Sequence, residues 1–439
     1  MHRKTTLASG LRVVTETLEG TKAVTALVLV KAGSRWESKE INGLSHFLEH
    51  MFFKGAKKYK NAKAVSEAID GVGGEFNAFT GKEYAGYYVK VAAEQAGLAL
   101  DVLSDMMLHA RFDQEEIEKE RGVILEEYNM YQDTPMYQVA WDFEKVMFGD
   151  QPLGWDEIGT KENIRRFGRE DFVAYKEELY VPGNMVLCLS GAIEHDEATE
   201  LAQKYFDMEE QARGREMVPF DRAIAKLAGG ELGADGAPGG QLVSERVTIH
   251  QKKTEQAHLV LGVPGLRAED SDFYVLKVLA AILGGNMSSR MFLAVREAKG
   301  LAYYISTGTE NYLDTGALYT RAGVDTTRIE DAVQAILEEY DKIRYVEVPE
   351  DELKKGKEFL KGKLTLSLED SETVAQMHAR HELLYDKVRT YAEIIKAIDE
   401  VTAEDVKRVA SDLLKDEALH LAVIGPYEDA GRFAEILKF

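Results

Sequence analysis

Apolar residues fall into two kinds of run along this chain. Short, dense runs rich in Val, Leu and Tyr, bounded by Gly, Pro or charged clusters, predict strands at 12–17, 23–32, 86–91 and 185–191. Longer stretches with apolar residues three and four apart predict helices at 43–53, 62–69, 95–108, 114–131, 169–179 and 194–205. A further helix, SSRMFLAVREAK at 288–299, is stopped by Gly300 and followed by a strand that begins at Leu301. Hairpin-like strands and paired helices in each half predict α+β sandwich domains with helices on one side of a sheet.

The chain divides near its middle. Gly229 to Gly240, GGELGADGAPGG, has the composition of a flexible linker. At 439 residues, two or more domains are expected. The predicted division is an N-terminal domain at 1–228, a Gly-rich linker at 229–243 and a C-terminal domain at 244–439. The halves share a faint repeat. VTALVLVKAGSRWE at 24–37 runs parallel to QAHLVLGVPGLRAE at 256–269, and Leu27, Leu29, Gly33, Arg35 and Glu37 match Leu259, Leu261, Gly265, Arg267 and Glu269. This suggests duplication of one α/β unit.

Candidate chemistry sits in the first predicted helix, at His46-Phe47-Leu48-Glu49-His50. Residues i and i+4 share a helix face, so both imidazoles reach one point, and Glu49 lies on the edge of that face. Leu44, Phe47, Leu48, Met51 and Phe52 make the helix apolar on its other sides, and buried His and Glu need partners. Two nitrogen ligands with a nearby carboxylate begin a catalytic zinc site, and H-x-x-E-H is the inverse of the commoner H-E-x-x-H. Such a site needs a third protein ligand. The helix DQEEIEKERGVILEEYNMYQD at 113–133 places Glu116, Glu120, Val123, Glu127 and Met130 on one stripe. Spacing alone leaves Glu126 and Glu127 both open as that ligand. In the second half, ILGGNMSSR stands where the first half has its histidine helix, so no second metal is expected there.

With these residues in view, the chain resembles the M16 family of zinc metallopeptidases, the family of pitrilysin and mitochondrial processing peptidase. The family motif is H-x-x-E-H followed by a distant ligand Glu. Here residues 51–126, 76 positions, separate His50 from Glu127. A second Glu precedes that ligand by seven residues, and Glu120 occupies its place. The resemblance implies His46, His50 and Glu127 as ligands of one Zn²⁺ per chain, Glu49 as general base, and Glu120 as a carboxylate that supports the ligands from behind. GEFNAFTGKEY at 74–84 is similar to the family's strand beside the metal, and implies that Asn77, Ala78 and Phe79 align an extended peptide as an added strand. Arg296 and Tyr303 match an R-x6-Y pattern, which implies contact with substrate, Tyr303 at the developing oxyanion. On residues alone, the same pair reads as a helix-end Arg and a core Tyr. The implied fold is two homologous α/β sandwich domains of LuxS/MPP-like metallohydrolase type, together half of a clamshell. A dimer is therefore implied, with itself or with a related chain.

Composition narrows the partners. The net charge of −22 argues against nucleic acid or an anionic membrane as partner. No apolar stretch approaches the ~20 residues that span a bilayer. The single cysteine, Cys188, excludes an intramolecular disulfide and suits a reducing compartment. The N-terminal TTLASGLRVV has no secretory apolar core, so a cytoplasmic location is expected. The expected activity is that of a zinc endopeptidase on peptides or unfolded segments in an enclosed chamber. The alternatives are a non-proteolytic subunit or interaction protein of the same fold, and a metal-dependent hydrolase of a non-peptide substrate.

Overall fold

The computed structural model describes residues 2–209 and 246–439. The Gly-dense stretch and the proposed linker at 229–243 lie outside the described residues. Among the described residues no helix is long and apolar enough to cross a membrane.

The chain forms two compact units, and neither is continuous in sequence. The first comprises the described residues of Met1–Tyr128, Asp156–Gly229 and Leu366–Thr390. The second comprises those of Asn129–Trp155, Gly230–Thr365 and Tyr391–Phe439. Each is an α/β fold built on one mixed sheet.

In the first unit, the strands are β1 (Arg3–Thr6), β2 (Arg12–Thr17), β3 (Ala23–Val30), β4 (Glu75–Thr80), β5 (Ala85–Ala92) and β6 (Met185–Gly191). They lie in the order β1-β2-β6-β3-β5-β4, with β2 and β6 parallel and the other neighbours antiparallel. Strands β3 and β6 are buried almost throughout, in keeping with apolar runs interrupted only by Thr25 and ended by Ser190. Helices α1 (Leu44–Phe52), α2 (Ala62–Asp70), α3 (Ala96–Leu108) and α4 (Gln114–Asp133) follow the early strands. Helix α4 belongs to this unit up to Tyr128.

The sequence predicts helices on one side of the sheet, but both sides are covered. Tyr87 of β5 packs its ring 5.1 Å from Phe52 of α1 on one face. On the other, Leu27, Leu29, Val186 and Cys188 meet Ala375, Ala379 and Leu383 of the helix Ser371–Tyr385. Each large side chain buried here contributes about 1.5–3 kcal/mol. Cys188 is a free, buried core thiol, pushed to high pKa by burial.

The second unit repeats the pattern. Its strands β7 (Val247–Gln251), β8 (Gln256–Gly265), β9 (Ala302–Asn311), β10 (Gly316–Asp325) and β11 (His420–Gly425) lie in the order β7-β11-β8-β10-β9. Again one pair, β7 with β11, is parallel, and the chain-order pattern matches that of β2-β6-β3-β5-β4. The repeated segments at 24–37 and 256–269 carry the equivalent strands β3 and β8. Helix α5 (Pro135–Phe148) covers this sheet through Val139, Phe143 and Val146, against Val260 and Ile424. The helix that follows β8, Phe273–Gly284, reads FYVLKVLAAILG and has no histidine or carboxylate.

Candidate metal centre

The centre is assembled on α1 and α4. Helix α1 begins after Gly43, whose φ is 98°. A Cβ there would stand 2.6 Å from the Ile158 carbonyl oxygen, so only glycine fits. The helix has no local side-chain cap. Instead the fully buried Glu37 accepts from the N–H groups of Gly43 at 2.8 Å and Ser45 at 2.6 Å, and from Asn42 Nδ2 at 3.2 Å. Burial raises the Glu37 pKa, although these bonds oppose it. Phe47 packs on Phe172 at 5.0 Å, and Phe52 on Tyr87 and Tyr180, which fixes the rotation of the helix. The half-buried side chains left over are His46, Glu49 and His50.

Helix α4 buries Ile117, Glu120 and Ile124, and Glu127 continues that stripe by one more turn. The sequence places Val123 and Met130 on it, but each is 52% exposed, so the true stripe is rotated by about one residue. Arg121 anchors the helix by donating to the carbonyl oxygens of Ile164 and, at 2.8 Å, Phe167.

These two helices bring His46, His50 and Glu127 together, with one ligand atom from each inside a 4.8 Å span. Glu127 Oε1 is 3.6 Å from His46 Nε2, and Oε2 is 3.5 Å from His50 Nε2. Ligands bound about 2.0–2.1 Å from a tetrahedral zinc ion stand about 3.3–3.5 Å apart, so the spacing fits a single Zn²⁺. Glu126 is exposed and stands outside this group. Among the described residues no other group of three such side chains gathers this closely.

The surroundings treat the two imidazoles differently. His50 Nδ1 lies 2.8 Å from Glu120 Oε1, which leaves Nε2 as the lone-pair nitrogen facing Glu127. Glu120 Oε2 in turn pairs with Lys54 Nζ at 2.5 Å. Burial alone raises the Glu120 pKa, but His50 and Lys54 outweigh it and hold the carboxyl below its usual range. His46 Nδ1 is buried without a hydrogen-bond partner. Burial pushes His46 toward its neutral form, yet Glu127, then Glu49 and Glu157, outweigh it and the pKa is raised. Three acids around one imidazole form a pocket of negative charge that suits a cation.

Glu49 Oε2 accepts a hydrogen bond from Thr80 Oγ1 at 2.6 Å. Thr80 ends β4, the edge strand that also carries Asn77, Ala78 and Phe79. Phe79 lies over Gly86 of β5 on the face of helix Ser371–Tyr385, whereas Phe76 packs on Phe53, at the end of α1, at 5.7 Å. Asn77 Oδ1 accepts from the Ala78 N–H at 2.9 Å.

Arg296 and Tyr303 belong to the second unit. Arg296 lies in a π-helical stretch, Phe292–Ala298, with its guanidinium 4.7 Å from the Phe292 ring centre. Such stretches are rare and recur at functional sites. Tyr303 stands on the edge strand β9 and is 73% exposed, so it is not a core tyrosine of its unit.

Three residues around the centre escape the sequence reading: Glu37, Lys54 and Thr80. Lys54 had a signal, since it lies four residues after His50, just past the end of α1. Thr80 had a weaker one, as the last polar residue of an edge strand.

Residues 12–160 match the family described as Insulinase (Peptidase family M16), and residues 166–360 match the Peptidase M16 inactive domain. A relative in Bacillus subtilis (strain 168), named "Uncharacterized zinc protease YmxG", is 37% identical over 426 residues, covering 97% of this chain and 98% of that one. Another in Streptomyces coelicolor, "Uncharacterized zinc protease SCO5738", is 35% identical and covers 97% of this chain and 90% of its own. The crystal structure of a protease from Helicobacter pylori has the same fold, with a TM-score of 0.87 at 23% identity, over 97% of this chain and 99% of that one. With this sequence identity across nearly its whole length, the chain belongs to peptidase family M16.

Proposed function

We propose that this protein is a zinc-dependent endopeptidase for peptides or unfolded segments. The observation that carries the reading is the cluster of His46, His50 and Glu127, with Glu49 beside it and an edge strand tied to Glu49. The zinc protease names of the relatives support it.

His46 Nε2, His50 Nε2 and Glu127 would hold one Zn²⁺, with Glu120 orienting His50. Zinc bound there supplies a Lewis acid for the scissile carbonyl and acidifies a water molecule. Glu49 takes a proton from the attacking water and delivers it to the leaving amine. Strand β4 offers backbone groups to an extended peptide, and strand pairing needs a peptide backbone, which favours peptides over other substrates. Arg296 and Tyr303 carry the substrate-contacting roles that the family resemblance gives them. The working form is a dimer enclosing a chamber, with itself or a related chain, and its location is cytoplasmic.

The test is incubation of the pure chain with a mixed peptide pool. Cleavage is expected, abolished by a chelator and restored by stoichiometric zinc. No cleavage with zinc bound favours a non-proteolytic subunit of the same fold.

A further inference from the structure

The outer edge of β4 has a definite hydrogen-bonding phase. The Gly81 N–H donates to the Tyr84 carbonyl at 3.0 Å, so Gly81 turns its backbone toward β5. Thr80 pairs with Ala85 and Ala78 with Tyr87. In an antiparallel ladder the direction alternates by residue. Phe79 and Asn77 therefore also point inward, and Thr80 and Phe76 present N–H and C=O to the open side, together with the C=O of Ala78, whose N–H is held by Asn77 Oδ1. The rest of the sheet agrees: Lys31 N–H bonds Asn184 O at 3.0 Å, and Ala93 N–H bonds Lys22 O at 2.9 Å, both in the same phase. Side chains alternate as well, so those of Phe76, Ala78 and Thr80 share the face of α1. Phe76 meets Phe53 there, and Thr80 meets Glu49.

We propose that Thr80 is a positioning residue: its hydroxyl aims the Glu49 carboxylate while its backbone pairs with the substrate strand. A carboxylate only accepts, so the threonine O–H is the donor of the 2.6 Å bond. That bond holds Oε2 and leaves Oε1 to take the proton. One residue thus joins the edge that registers the peptide to the group that moves its proton. A small misplacement of such a group costs on the order of a hundredfold in rate. The bland reading is a β-branched residue favoured in a strand, with its hydroxyl on the nearest acceptor.

The proposal rests on the endopeptidase reading, and the experiment separates the two. Thr80→Val keeps the size and β-branching and removes the hydroxyl, and Thr80→Ser keeps the hydroxyl. Thr80→Ala serves if the valine variant does not fold. Thr80→Val is expected to lower kcat about tenfold to a hundredfold, with KM within about twofold and zinc content unchanged. Thr80→Ser is expected to recover most of the loss. If the wild type cleaves and Thr80→Val matches it, or if the serine variant is as slow as the valine variant, the positioning role is wrong and the endopeptidase stands. A zinc-loaded wild type inert toward the peptide pool overturns both.

Discussion

Glu120→Gln isolates the support behind one ligand. In the native protein Glu120 accepts from His50 Nδ1 at 2.8 Å and pairs with Lys54 at 2.5 Å. The amide can still accept from Nδ1, so the ring need not turn, but the charge is gone. A hydrogen bond to a charged partner contributes about 1.5–3 kcal/mol, against about 0.5–1.5 for a neutral one. The change therefore costs His50 about 1–1.5 kcal/mol of support. Lys54 loses its partner and leaves an unbalanced cation near the ligand, which adds to the loss. The sum, about 1.5–3 kcal/mol, predicts zinc binding weakened roughly tenfold to a hundredfold. The assay is competition against a chromophoric zinc chelator at pH 7, with circular dichroism to confirm the fold. Glu116→Gln is the control, since Glu116 lies one turn away and pairs with Lys119 on the exposed side at 2.9 Å. Zinc affinity within twofold of wild type, in a folded variant, would refute the argument that Glu120 supports the metal through His50.

Three further outcomes follow from the same structure. Tyr303→Phe should lower kcat/KM about tenfold to a thousandfold without changing zinc content, and full activity on several peptides would remove Tyr303 from the reaction. Burial pushes His378 down to about 4, and burial with Arg380 and Arg389 pushes His381 down to about 3. Both values fall on folding, so between pH 6.5 and 4 the unfolded chain binds more protons. The stability is present above pH 6.5 and is lost as pH falls toward 4, roughly 3 kcal/mol for His378 alone. Urea midpoints at pH 7 and pH 5 check this, and an equal or higher midpoint at pH 5 contradicts it. Sedimentation of the pure protein should give about twice the 49.1 kDa chain mass, and a fully active monomer would sink the chamber.

Much of the centre was legible because it depends on local geometry. H-x-x-E-H needs only helical periodicity to put His46 and His50 on one side. Strands β2 and β6 match their predicted limits because apolar runs with sharp ends suffice to define them. What was hidden depends on contacts distant in sequence. Glu37 serves the start of α1 from outside the helix. Helix Ser371–Tyr385 covers β3 and β6 of the first sheet, and no local pattern says which sheet an amphipathic helix will cover. The stripe on α4 is misphased in the sequence because Glu116, Val123 and Met130 share the 3-4 spacing of Glu120 and Glu127, whereas Ile117, Glu120 and Ile124 are the buried ones. The π-helical stretch around Arg296 reflects one extra residue in a turn, which leaves no compositional mark.

The central claim is that Glu49 moves the proton in a zinc-dependent peptide hydrolysis. Glu49→Gln is nearly isosteric, still accepts the Thr80 hydrogen bond through its amide oxygen, and cannot take a proton at neutral pH. Zinc content by elemental analysis and turnover of a peptide pool are measured on the same sample. The predicted result is one zinc per chain with turnover reduced at least a hundredfold, within the range expected for loss of a general base. Retained turnover with zinc in place would contradict the mechanism, and loss of zinc with loss of turnover would make Glu49 part of the metal's support instead of its base.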